Sequence, residues 1–150
     1  MKKSHRETKK FLSQVNDIDR RISIKLIEAE KHRMMALNIG NTIKEDRVQT
    51  TPTNVFENAL ISAREAEEEA NALIEVLYQK RKEINNMICA LQDEEVVDVL
   101  TAHYLCGKTF YEMADVLHMS KSKVCYVYDR GIELFEKMYG DRYMIEEKLG

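Results

Sequence analysis

The sequence predicts an all-α protein, a long N-terminal antiparallel helical hairpin of coiled-coil type followed by a small C-terminal helix-turn-helix domain. Three observations lead there. Helix formers dominate, with one proline, five glycines and no tryptophan in 150 residues. Two long stretches repeat apolar residues at alternating spacings of three and four. Between Leu105 and Val124 the pattern changes to that of two short capped helices joined by a tight turn.

The first long segment runs roughly from Glu7 to Leu37. Phe11, Val15, Ile18 and Ile22 hold the seam, after which Leu26 and Ala29 imply a shift of one residue. A connection is expected over about 38–54, because it contains Gly40 and Thr50-Thr51-Pro52-Thr53. Pro52 blocks helix continuity and Asn54 is suited to cap the next helix. The function of the Asp46-Arg47-Val48-Gln49 stretch within that loop is not legible in the sequence.

The second segment has its seam at Ala59, Ala63, Ala66, Ala70, Leu73, Leu77, Lys80, Ile84, Met87 and Leu91. Its alanine half lets a partner backbone come close, whereas its second half is bulky. The charged run from Arg64 to Glu69 reads as the solvated face of this helix. Some 30 helical residues extend about 45 Å, so the hairpin outreaches a helix-turn-helix domain. An alanine seam buries limited apolar area, which makes a homo-oligomer formed through the hairpin the expectation.

The expected organisation is therefore 1–92 as hairpin, 93–140 as helix-turn-helix domain and 141–150 as a C-terminal tail. In the second of these, Thr109 followed by Glu112 is a capping-box pattern that starts a short helix. Met113, Ala114 and Leu117 fall on its inner face, and Leu117 to Met119 form the turn. Ser120 is the expected N-cap of the next helix, whose Val124, Val127, Gly131, Leu134 and Phe135 form a buried stripe. The opposite face is thereby left outward. A recognition helix meets base edges with its N-terminal residues, so Lys121, Ser122, Cys125 and Tyr126 are the candidate base-facing groups. Lys108, Lys123 and Arg130 suit phosphates. Double-stranded DNA is the partner this arrangement implies.

Charge works against binding by bulk attraction. From Asp93 onward seven Lys and Arg stand against twelve Asp and Glu, a net of −5. Help is expected from a second copy, from RNA polymerase, or from Met1–Lys10, which has a net of +4 and the composition of a flexible phosphate-seeking arm. Catalysis is not expected. The four histidines are scattered without metal-ligand spacing, and no phosphate loop or nucleophile motif occurs, so no catalytic residue, cofactor or metal site is assigned. The cysteines, Cys89, Cys106 and Cys125, are odd in number and unpaired in spacing, which fits a reducing compartment. With no apolar run of membrane-spanning length and no signal-like start, the expected location is the cytoplasm of a bacterial host.

Four stretches carry a resemblance: Phe11 to Ile22, Asp46 to Pro52, Lys80-Arg81-Lys82-Glu83-Ile84, and the helix-turn-helix itself. In this order they resemble small proteins of Gram-positive phages and prophages, whose C-terminal domain is similar to sigma factor region 4, the reader of the promoter −35 element. The resemblance implies a phage transcriptional regulator that contacts DNA and RNA polymerase. Where sigma region 4 presents several arginines, this chain has lysine, serine, cysteine and tyrosine, so bidentate guanine reading is not implied. Two other readings use the same pattern: a coiled-coil interaction protein binding a host or phage partner, and a DNA-packaging recognition subunit assembled as a ring.

Overall fold

The structure is a computed structural model describing the backbone of residues 3–45 and 53–149 and the side chains of residues 5–42 and 55–143. Among the described residues there are five α-helices and no strand. They are α1 (Lys3–Glu45), α2 (Thr53–Cys89), α3 (Glu94–Leu100), α4 (Phe110–Val116) and α5 (Lys121–Leu149), with one turn of π-helix at Thr101–Leu105. The Asp46–Pro52 loop lies outside the described residues. Residues 38–45, expected as loop, continue α1. Only Gly40 opposes them, at a cost of about 1 kcal/mol, and propagating an existing helix is favourable. α2 begins at Thr53, so Asn54 falls inside the helix rather than at its cap; its side chain is outside the described residues.

Contacts divide the chain into two compact units, 19–79 and 1–18 with 80–150, where the sequence pattern places a boundary between 92 and 93. In unit 19–79, Ile22, Ala29 and Ala36 of α1 and Ala63 and Ala70 of α2 are buried. Arg21, Ile24 and Lys25 share a groove with Leu73, Val76 and Leu77. Arg33 and Glu67 are close enough for their opposite charges to attract.

The α1 seam does not shift at Leu26, which is exposed. The spacing of three and four continues without a break through Ile22, Lys25, Ala29, His32 and Ala36. Lys25 and His32 are half-buried at seam positions, and Glu28 serves both, 2.8 Å from Lys25 Nζ and 3.8 Å from His32 Nε2. On α2, Ala66 and Leu77 are half-buried but Ala59, Leu73 and Lys80 are exposed. Leu73 stands at the rim of the groove and not inside the seam.

The second unit has the larger core. Leu12 and Val15 of α1, Ile88 of α2, Val96, Val99 and Leu100 of α3, Met113 of α4 and Val124, Val127, Ile132 and Phe135 of α5 are almost completely buried. α3 starts where the Asp93 carboxylate accepts the Val96 amide at 3.2 Å. It crosses α5 at Gly131, where an added Cβ would stand 3.1 Å from Val96 Cγ1 and 3.3 Å from Leu100 Cδ1. The wider π turn that follows lets the adjacent Tyr104 and Leu105 both point inward. Its end is held by Arg81, whose guanidinium donates to the Leu105 carbonyl at 3.0 Å.

Two of the expected ends are elements of this unit. Of the expected Met1–Lys10 arm, Met1 and Lys2 lie outside the described residues and Lys3–Lys10 are not loose but the start of α1, where Thr8 is buried against the Tyr143 hydroxyl, with which it shares a hydrogen bond. Residues 141–149 are not a tail but the last turns of α5, because the buried Tyr143 stacks on Phe11 at 5.0 Å. Tyr139 adds a hydrogen bond from its hydroxyl to the Met87 carbonyl at 2.9 Å.

Two outcomes are expected of this core. Gly131→Ala needs Val96 and Leu100 to give by a few tenths of an ångström, a cost of about 1–3 kcal/mol against about 1 kcal/mol gained in helix propensity, so the net loss should be no more than about 2 kcal/mol, read as a slightly lower urea midpoint. Burial raises the phenols of Tyr104, Tyr128 and Tyr143 above the ordinary value, and the hydrogen bond to Tyr128 raises Tyr104 further. These groups ionise first in the unfolded chain, so their stabilisation is whole below about pH 10 and is lost as the pH rises toward the folded values. Urea midpoints should therefore fall above about pH 10, and Tyr104→Phe should make that fall shallower.

Candidate nucleic-acid interface

α4 opens with the reciprocal cap read from the sequence. The Thr109 hydroxyl accepts the Glu112 amide at 3.2 Å, and the Glu112 carboxylate accepts the Thr109 amide at 3.2 Å. Those bonds, and after them the Lys108 ammonium 3.7 Å away, hold the Glu112 carboxyl below the ordinary carboxylate range. Met113 is wholly buried, with Ala114 and Leu117 half-buried beside it.

The helix closes by paired end bonds, His118 N–H to the Asp115 carbonyl at 3.3 Å and Met119 N–H to the Ala114 carbonyl at 3.0 Å. His118 takes the left-handed backbone (φ 54°) that this closure demands of a position more often given to glycine. Two residues on, Ser120 Oγ accepts the Lys123 amide at 3.1 Å and α5 begins. The loop before α4 is fixed as well. Gly107 has a φ of 67°, and His103 Nδ1 lies 2.8 Å from the Lys108 carbonyl. The His103 ring stacks on Phe110 at 5.1 Å and meets Tyr128 edge-on at 5.5 Å, while the Tyr104 and Tyr128 hydroxyls bond at 2.6 Å.

With α5 started at Ser120, Val124, Val127, Tyr128, Gly131, Ile132 and Phe135 turn inward and Leu134 is half-buried. Lys121, Ser122, Cys125 and Tyr126 are all exposed, Tyr126 to 65%. The Lys121 ammonium lies 4.9 Å from the centre of the Tyr111 ring, and the Arg130 guanidinium 5.6 Å from that of Tyr126. Tyr111, itself 76% exposed, was not among the candidates read from the sequence. Its signal was there: once Met113, Ala114 and Leu117 are the inner face of α4, Tyr111 lies outside, in the first turn after the cap.

The three phosphate candidates each have an acidic neighbour. Lys108 is 3.7 Å from Glu112, Lys123 is 3.1 Å from Glu95, and Arg130 is 2.8 Å from Asp93, the residue that also caps α3. Lys121 has no carboxylate partner among the described residues. The face thus joins two cations held over aromatic rings, Lys121 over Tyr111 and Arg130 over Tyr126, with a rim of exchangeable ion pairs. Among the described residues no group of three His, Cys, Asp or Glu side chains is placed to hold a metal ion, and no helix is long and apolar enough to cross a membrane. No protein family, curated protein or solved structure matches the chain.

Thr109→Ala removes the hydroxyl that accepts the Glu112 amide and leaves that amide without its cap, while the residue-109 amide can still donate to the Glu112 carboxylate. It should lower stability by about 1 kcal/mol, checked by urea denaturation followed by circular dichroism.

Proposed function

We propose that this chain is a DNA-binding transcriptional regulator of the phage or prophage kind. In this reading α4, the Leu117–Ser120 turn and α5 are a helix-turn-helix, and α1 with α2 form an antiparallel hairpin for oligomerisation or contact with RNA polymerase. The observation that carries it is the two-sided start of α5: Lys121, Ser122, Cys125 and Tyr126 outward, Val124 and Val127 buried. A helix capped at its N-terminus and exposed along its first turns is the element that enters a major groove, with its amide dipoles favouring phosphate. Ser122 and Cys125 are small enough to allow close approach. Lys121 and Tyr126 supply a point charge and a ring suited to a phosphate or a thymine methyl group.

At the rim, phosphate oxygens replace carboxylates. Exposed ion pairs of this kind are worth about 0–1 kcal/mol each, so the exchange costs little. If Lys108, Lys123 and Arg130 each meet one phosphate, log affinity should fall against log salt with a slope of about −2.7 per bound copy.

A second reading, an interaction protein whose helix-turn-helix is a scaffold, is favoured by the net charge of −5 from Asp93 onward. Fluorescence anisotropy with phage genomic fragments separates the two. Under the leading reading, Lys121→Ala with Tyr126→Ala abolishes specific binding while helicity is kept, since both side chains are exposed. Glu95→Gln, which removes a carboxylate beside Lys123, tightens binding a few-fold on all sequences. Binding that is indifferent to the double substitution overturns the recognition helix. An absence of binding to any fragment at low salt favours the second reading.

A further inference from the structure

Unit 19–79 leaves apolar surface uncovered on one side. Ile24, Leu73 and Val76 are 55%, 48% and 65% exposed, and with Leu77 and the stems of Arg21 and Lys25 they line a groove of about 350 Å³. Met35, eleven residues past Ile24, returns to the same side of α1 after three turns and is also exposed. Three exposed aliphatic side chains around one groove are a contiguous patch rather than scattered surface residues.

The two ends of this side differ in charge, with Glu28 and Lys31 of α1 between them. Arg21 and Lys25 flank the groove. Counting back from Leu73 along α2 in steps of four gives Glu69 and Glu65, both exposed on the same row. Because Glu67 lies near Arg33, this acidic stretch stands about 18 Å along α1 from Arg21. The exposed Lys31 lies on the same row of α1, seven residues past Ile24 and four before Met35, so the face has a basic end at its groove and, beside Met35, an acidic row contributed by α2.

We infer that this face binds a second copy of the chain, related by a two-fold axis crossing it between Ile24 and Met35. Such an axis brings the basic end of each copy to the acidic end of the other and lays each groove over the other's Met35. A uniformly acidic partner, nucleic acid included, would meet Glu65 and Glu69, and a uniformly basic one would meet Arg21 and Lys25. The occupant needs both signs in reverse order around an apolar centre, and this chain carries that order. Glu28 lies near the axis, and Lys25 at 2.8 Å compensates its charge before the copies meet. The inference rests on the oligomerisation part of the proposed function and names its surface; DNA binding by α5 can fail without affecting it.

Sedimentation equilibrium of the full chain over about 1–100 µM should give twice the 17.6 kDa chain mass, shifting toward the single-chain mass as salt rises. Each substitution acts twice across a two-fold axis and replaces attraction by repulsion, so Arg21→Glu alone and Glu65→Arg alone should each weaken the dimer about tenfold. The two together restore opposite charges and should recover it. Val76→Asp should leave single chains, with helicity unchanged in all variants because these side chains are exposed. Single chains throughout the range, an assembly of more than two, a dimer indifferent to either charge reversal or to Val76→Asp, or a double variant no tighter than the single ones would each overturn the inference.

Discussion

With Ser120 accepting the Lys123 amide and His118 holding a left-handed backbone just before it, α5 starts in a fixed phase, and that phase divides its residues into two sets. Each residue turns the helix by about 100°, so a slip of one position in one direction would carry Tyr126 into the place of the buried Val127, and in the other would carry Val127 into the place of the exposed Tyr126. Gly131 locks the same phase from the other end. It is the point where Val96 and Leu100 come within ordinary contact of the α5 backbone, a fit that no neighbouring residue of α5 allows without a Cβ in the way. The outward set of Lys121, Ser122, Cys125 and Tyr126 is thus a by-product of how Val124, Val127, Gly131 and Phe135 pack.

Electrostatics on that face is a matter of exchange. Lys108, Lys123 and Arg130 already have carboxylates, and these carboxylates belong to other jobs: Glu112 closes the α4 capping box and Asp93 caps α3. A phosphate that draws Arg130 away from Asp93 leaves the cap bond to Val96 intact, because the two use different oxygens of the same carboxylate. The helix starts need not loosen for the cations to move. Lys121 is different, resting over Tyr111 and opposed by no described carboxylate. This makes it the cation whose transfer to a ligand costs least.

Local signals were the legible part of the sequence. Thr109 with Glu112, Ser120, and the stripe from Val124 to Phe135 state caps and a buried face through residue chemistry alone, and the structure has all of them. What escaped was decided by partners distant in sequence or by polar residues in apolar roles. Lys25 and His32 hold seam positions, and a reading that follows hydrophobic residues moves to Leu26 instead. Tyr143 ties the end of α5 to the core through Phe11 and Thr8, more than 130 positions away, and nothing near Tyr143 announces it. The π turn, closed by Cys106 N–H to the Thr101 carbonyl at 3.0 Å and held by Arg81, likewise depends on a helix from another part of the chain.

The two inferences meet in the arithmetic of weak sites. A C-terminal segment of net charge −5 that engages about three phosphates per copy gains little from bulk attraction. A second copy joined through unit 19–79 adds no contact to the first site, yet it converts the second binding event into an intramolecular one. Effective concentrations in such linked systems reach the millimolar range, so two modest sites can hold together where one does not. The acidic balance is then no obstacle to recognition. Under the two proposals together it would suppress indiscriminate binding by the single chain and leave affinity to paired sites, where the order of the outward residues on α5, and not total charge, would decide which sequence is held.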